Sequence, residues 1–135
     1  MMRTLFLNPP SYAGFDGGAG ARYQARREIR SYWYPTWLAQ PAALVPGSKL
    51  VDAQPAGLTL DDVVPMAREY ELAVLHTSSP TFPGDVKVAE ALKAANPSLT
   101  VVVDWQLPEV SSTSNTLPGR KRRVTPLLVV TEYSP

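Results

Sequence analysis

The sequence contains no cysteine and only one histidine. The first absence excludes disulfides, a thiolate zinc site, a cysteine nucleophile and any protein-ligated iron–sulfur cluster within this chain. The second leaves His76 as the sole imidazole for acid–base or metal chemistry. Charge of one sign is missing too. The net charge is +1, and residues 1–103 balance, with nine Lys/Arg against nine Asp/Glu. No overall field therefore recruits nucleic acid or an anionic membrane, and recognition must be local. Long apolar runs are absent as well. The start, "MMRTLFLNPPS", is too short for a signal-peptide core, and no window approaches the roughly eighteen apolar residues of a membrane span. The expectation is a soluble, cytoplasmic protein without a transmembrane segment. Gly17, Gly18 and Gly20 do not match GxGxxG, and no Walker A loop is present, so only glycine content after the first strand suggests a phosphate cradle.

What the chain does have is enough apolar material for one modest core. At 135 residues, 44% hydrophobic, with three Trp, three Phe and six Tyr, it is most simply one domain. "RTLFLN" (3–8), stopped by Pro9 and Pro10, reads as a buried strand. "PTWLAQPAALV" reads as a short helix in which Pro41, lacking an N–H, makes a kink or begins a second turn. "SKLVDAQ" (48–54) reads as a strand closed by "PAG". "LTLDDVVPMAREYE" opens a helix with Thr59 as N-cap and Asp62 three residues on, an acidic capping box. "LAVLHTSS" (72–79) is a third strand ended by Pro80. "PGDVKVAEALKAANP" is a helix with Val86, Ala89, Leu92 and Ala95 at helical spacing, ended by Asn96 and Pro97. "SLTVVVDW" is a fourth strand.

Strand and helix alternate, and the strands are almost continuously apolar. Both features argue for a doubly wound α/β fold, flavodoxin-like or Rossmann-like, with a parallel sheet covered on both faces. Such sheets take ligands at the carboxyl ends of their strands, where the strand order reverses. Three segments lie at such ends: "NPPSYAGFDGGAG", "DAQPAG" and "HTSSPTFPGD".

Between the first strand and the first helix lies "DGGAGARYQARREIRSYWYPTW" (16–37). Arg22, Arg26 and Arg30 fall on one helical face, with Tyr23, Arg27 and Ser31 on the next. A row of guanidinium groups suits an anionic partner or the carboxylates of an adjoining domain, although a solvated helix with Glu28 as a local partner accounts for it equally well. Tyr32, Trp33, Tyr34 and Trp37 either cover a broad, sterol-like ligand surface or wedge the segment onto the sheet. The segment is expected to form an interdomain and ligand-facing flap.

"TLFLNPPS", the later Trp-Tyr-Pro with its Leu/Ala helix, and "AVLHTSSPTFPGDVKVAEALKAANP" resemble the N-terminal cobalamin (B12)-binding-type domain of B12-dependent radical S-adenosylmethionine (radical SAM) enzymes. The run "GFDGGAGARYQARREIRSYWYPTWLAQPAALVPGSKLVDAQPAGLT" is similar to hopanoid-biosynthesis-associated radical SAM proteins of the HpnJ type. The resemblance covers roughly residues 2–103. It implies a flavodoxin-like domain that precedes a barrel whose CxxxCxxC loop carries the iron–sulfur cluster that cleaves S-adenosylmethionine. It also implies a part in maturing the sugar-derived side chain of bacteriohopanepolyols, so that a hopanoid-type lipid substrate is met only through the barrel. Without cysteines, this chain is not expected to be catalytic by itself.

The resemblance implies a cofactor-facing role for Asn8, His76, Ser78 and Ser79, the serines standing where cobalamin-type domains set a serine against the corrin's nucleotide tail. An ST-turn before Pro80 is the structural alternative for the serines. His76 is read first as a strand-end imidazole donating to a backbone carbonyl. The loop "DAQPAG" (52–57) has no histidine, which departs from the Asp-x-His-x-x-Gly lower-axial motif. After Val103 the register of the family is lost in "DWQLPEVSSTSNTLPGRKRRVTPLLVVTEYSP". The sequence thus divides into a B12-binding-type domain (1–105) and a divergent tail (106–135). The tail is either out-of-phase sequence of a truncated or frameshifted reading frame, the expectation preferred here, or part of a short homologue with a fifth strand at 127–131. A stand-alone flavodoxin-like module for ligand or protein binding is the other functional reading, and an exposed flap would promote self-association in either.

Overall fold

The computed structural model describes residues 1–12, 35–78, 81–105 and 127–130. Five strands form one sheet: β1 (Thr4–Asn8), β2 (Lys49–Asp52), β3 (Leu72–Thr77), β4 (Thr100–Trp105) and β5 (Leu127–Val130). Helix α1 (Thr36–Leu44) joins β1 to β2. A short α2 (Leu60–Val63), continued by a 3₁₀ helix (Val64–Glu69), joins β2 to β3, and α3 (Phe82–Ala95) joins β3 to β4. The spatial order is β2-β1-β3-β4-β5. β1 to β4 are parallel, and β5 closes the edge antiparallel to β4. The chain is therefore an α/β protein with a four-stranded parallel sheet, as its alternation of elements predicts, plus an antiparallel edge of the kind mixed sheets commonly carry.

Alternation along the strands sorts their side chains onto two faces. Leu5, Leu7, Val51, Ala73, Leu75, Val101 and Val103 share one face and are buried against Val63, Ala67, Val88, Ala89 and Leu92. On the other face lie Thr4, Phe6 and Asn8, all buried, together with Leu38, which anchors α1. Pro41 sits inside α1 without ending it. Its ring costs the helix one hydrogen bond, which a short helix held by Leu38 tolerates.

Two helices differ from the sequence-based expectation. Asp62 accepts hydrogen bonds from the Thr59 N–H (2.8 Å) and the Thr59 hydroxyl (2.7 Å), so the capping box forms. The α-helix that it opens nevertheless lasts only to Val63, because Pro65 supplies no N–H to continue the ladder and the chain tightens into the 3₁₀ helix. In α3 the buried side chains are Asp85, Val88, Ala89 and Leu92. Val86 and Ala95, expected on the buried stripe, are only half-buried, and Val88 takes the core position instead. The helix begins at Phe82, one residue before Pro83.

Candidate functional site

The strand order reverses between β1 and β3: the chain leaves β1 towards β2 on one side and leaves β3 towards β4 on the other. The carboxyl ends of these two strands consequently diverge into different connections, and a crevice at such a switch point is the usual ligand position in open α/β sheets.

Asn8 is the last residue of β1 and is 1% exposed. Its Nδ2 donates to Asp52 Oδ1 at 2.7 Å, across the β1–β2 pair in which the two residues are direct partners. This bond fixes the amide: a carboxylate accepts and cannot donate, so the NH₂ must face β2 and Oδ1 must turn away. That Oδ1 is buried and accepts no hydrogen bond among the described residues. Burial pushes the Asp52 carboxyl above its ordinary range, and the Asn8 hydrogen bond opposes the rise. Beside it, the β2 turn is tied to the end of β1 by Gln54 Nε2, which donates to the Pro9 carbonyl at 3.0 Å. Gly57 closes that turn with φ of 66°, a left-handed conformation that a side chain would resist.

At the end of β3, Thr77 Oγ1 donates to Asp85 Oδ2 at 2.6 Å, and both residues are buried. Ser78 follows. Its carbonyl accepts the Thr81 and Phe82 N–H groups at 3.1 and 2.8 Å, and its hydroxyl lies 2.9 Å from Thr81 Oγ1. This backbone turn, supported by the hydroxyl pair, starts α3. The next N–H groups, of Gly84 and Asp85, go to the Thr81 carbonyl, and Pro83 has none. The amino end of α3 thus has its donors occupied by the turn and carries the Asp85 carboxyl group in its first turn. Both facts count against a phosphate at this helix end, where an anion would need open N–H groups. Tyr12, beyond β1, lies over the start of α3 with Lys87 Nζ 5.3 Å from its ring centroid, within cation–π range.

The expected site residues divide as follows. Asn8 ends β1 and Ser78 follows the end of β3, the adjoining strand. His76 is 8% exposed on β3, directly after the Leu7–Leu75 pair that aligns β1 with β3, and is partnered in register by Asp104 of β4. Trp37 lies in the first turn of α1 and is 48% exposed. Ser79, Arg22, Arg26, Arg30 and Trp33 lie outside the described residues. Asp52, Thr77 and Asp85 fall within the segments read from sequence as ligand-side strand ends, but sequence reasoning did not single them out as site residues. Asp85 was findable, because it stands three residues before Val88 and seven before Leu92, on the apolar stripe, and a carboxyl group in that position is a buried one.

Chemically, the crevice offers neutral hydrogen-bonding groups and two carboxyl groups. Ser78 pairs with another hydroxyl rather than with a base that would activate it as a nucleophile. Among the described residues no cluster of three metal-ligating side chains occurs, and no helix is long and apolar enough to cross a membrane. No protein-family model, curated protein or solved structure matches this chain.

Proposed function

We propose that the chain is a non-catalytic ligand-binding module of the cobalamin-binding type, the N-terminal domain of a radical SAM enzyme of hopanoid side-chain biosynthesis. The sequence resemblance over residues 2–103 supports this, and the strand order 2-1-3-4, which flavodoxin-like domains share, is compatible with it. The observation that carries a binding rather than a catalytic role is the crevice at β1 and β3. At these strand ends stand Asn8, Thr77, Ser78 and Thr81, with no activated nucleophile among them.

The residues present fit a large amide-bearing ligand better than a nucleotide held by its phosphates. The buried Asn8 Oδ1 is an acceptor awaiting a donor, while the N–H groups at the start of α3 are already bonded. In this reading Asn8 and Ser78 hold the corrin edge and its tail. The bound corrin would supply cobalt chemistry to a partner barrel, and this chain would orient it and shield one face from water. Cobalamin chemistry on this chain needs no histidine ligand, since the Asp52 loop supplies none.

Equilibrium dialysis with hydroxocobalamin tests the proposal. Saturable, stoichiometric binding is expected. Saturable binding of flavin mononucleotide or a nucleoside triphosphate instead of hydroxocobalamin would favour the stand-alone flavodoxin-like module.

A further inference from the structure

The buried Asn8 Oδ1 calls for an explanation, because a carbonyl oxygen removed from water without a donor costs the protein free energy. Exchanging the two amide atoms does not help: it would set Asn8 Oδ1 against Asp52 Oδ1, two acceptors at 2.7 Å, and leave the NH₂ as the unpaired group. The orphan acceptor therefore follows from the Asp52 carboxylate and cannot be relieved within the pair. A group that relieves it from outside must donate. A primary amide or an ammonium group has N–H groups that can serve Oδ1, and the Asp52 carboxylate bonded to the same side-chain amide favours a neutral or cationic donor over an anion. An anion is disfavoured: a phosphate monoester dianion has no hydrogen to donate to Oδ1, and the carboxylate repels phosphate in any ionised form. The end of α3 offers it no alternative seat, because the N–H groups of Thr81, Phe82, Gly84 and Asp85 are bonded to the Ser78 and Thr81 carbonyls.

We infer that Asn8 Oδ1, on an amide whose other end is held by the Asp52 carboxylate, is a subsite for a ligand N–H donor, a primary amide or alkylammonium group, and that this subsite discriminates against phosphate. The inference rests on the ligand crevice proposed above but not on the identity of the ligand. It explains why an asparagine rather than an apolar residue ends β1 at a position that is 1% exposed, since leucine would fill that volume without an unpaired oxygen.

The test follows the backbone amide signals of Asp52 and Ala53 in the full ¹⁵N-labelled chain while acetamide, methylammonium chloride or inorganic phosphate is added. Saturable shifts are expected with the first two and none with phosphate. Asn8→Leu should weaken both donors about tenfold, the size of one lost hydrogen bond to a buried acceptor. Asp52→Asn, which keeps an acceptor for Asn8 Nδ2, should weaken methylammonium while sparing acetamide, and it serves if Asn8→Leu does not fold. Absence of saturable shifts with both donors, or a stronger response to phosphate, overturns the inference. Dicyanocobinamide, which is rich in primary amides and has no phosphate, separates this inference from the larger reading. Its binding to the parent and equally to Asn8→Leu would overturn the subsite and leave the module standing. Its failure to bind a chain that responds to acetamide would overturn the module and leave the subsite standing.

Discussion

Thr77, at the end of β3, donates a 2.6 Å hydrogen bond to the carboxyl group of Asp85 in the first turn of α3, with both residues buried. The bond spans the Ser78 turn and so locks the strand end to the helix that borders the crevice. Thr77→Val keeps the shape and removes the donor, leaving a buried carboxyl oxygen with one partner fewer. A loss of about 2 kcal/mol is expected in chemical denaturation, whereas Thr77→Ser, which keeps the hydroxyl, should lose less than half of that. Equal losses for the two would mean that the methyl group, and not the hydrogen bond, matters.

The Asn8–Asp52 pair makes stability depend on pH in a direction opposite to that of a salt-bridged carboxylate. Burial raises the Asp52 carboxyl above its ordinary value in the folded chain, so between the two values the folded state holds more protons than the unfolded. Stability from this group therefore falls as pH rises through that window and levels off above it. Asp52→Asn removes the titration and retains an acceptor for Asn8 Nδ2. The stability of the variant relative to the parent should improve as pH rises from about 3 towards neutrality. A parent that gains on the variant over that interval would contradict the sign.

Thr59 and Asp62 give the ordinary sign. Hydrogen bonds from the Thr59 hydroxyl and N–H hold the Asp62 carboxyl below its usual range, so the contribution is present above the ordinary carboxylate value and is lost as pH falls through the depressed one. Thr59→Ala should lower stability at neutral pH, because it removes the hydroxyl that donates to Asp62. The cost should shrink on acidification, and a penalty independent of pH would mean that the hydroxyl acts without Asp62.

The sequence made β1 to β4 and the Thr59 cap legible because each is a local signal: an apolar run stopped by proline, or a hydroxyl and a carboxylate three residues apart. It did not reveal what depends on distant pairing. The Asn8–Asp52 bond joins residues 44 positions apart, and neither residue announces the other until β1 and β2 are placed side by side. The shift of the α3 core face from Val86 to Val88 has the same origin. Spacing alone allowed either valine, and the sheet beneath chose the face that also buries Asp85. In α2 the limiting signal is itself local, since Pro65 follows the cap too closely for a full α-helix.

His76 is buried on β3, and it ranks as a packing residue rather than a metal ligand in the proposed module. His76→Ala should lower thermal stability while leaving the absorption spectrum of added hydroxocobalamin, once bound, unchanged and of the base-off type. A spectral change confined to this variant would make the imidazole a cobalt ligand.

Helix α1 carries no charged residue, and its two largest apolar side chains at the surface, Trp37 and Leu44, are 48% and 82% exposed. They are seven residues apart with Pro41 between them, hence on one helical face, while Leu38 points into the sheet. A helix apolar on both sides suits a position between two packed layers, and when one side is left open that face seeks a second apolar surface. The chain should therefore self-associate with rising concentration. Trp37→Ser and Leu44→Ser should reduce the apparent mass in light scattering while changing folding stability by no more than about 0.5 kcal/mol, as for surface positions. A parent that stays monomeric at high concentration, or substitutions that leave association unchanged, would remove α1 as the contact face. A large stability loss in Trp37→Ser would mean that the indole packs as core.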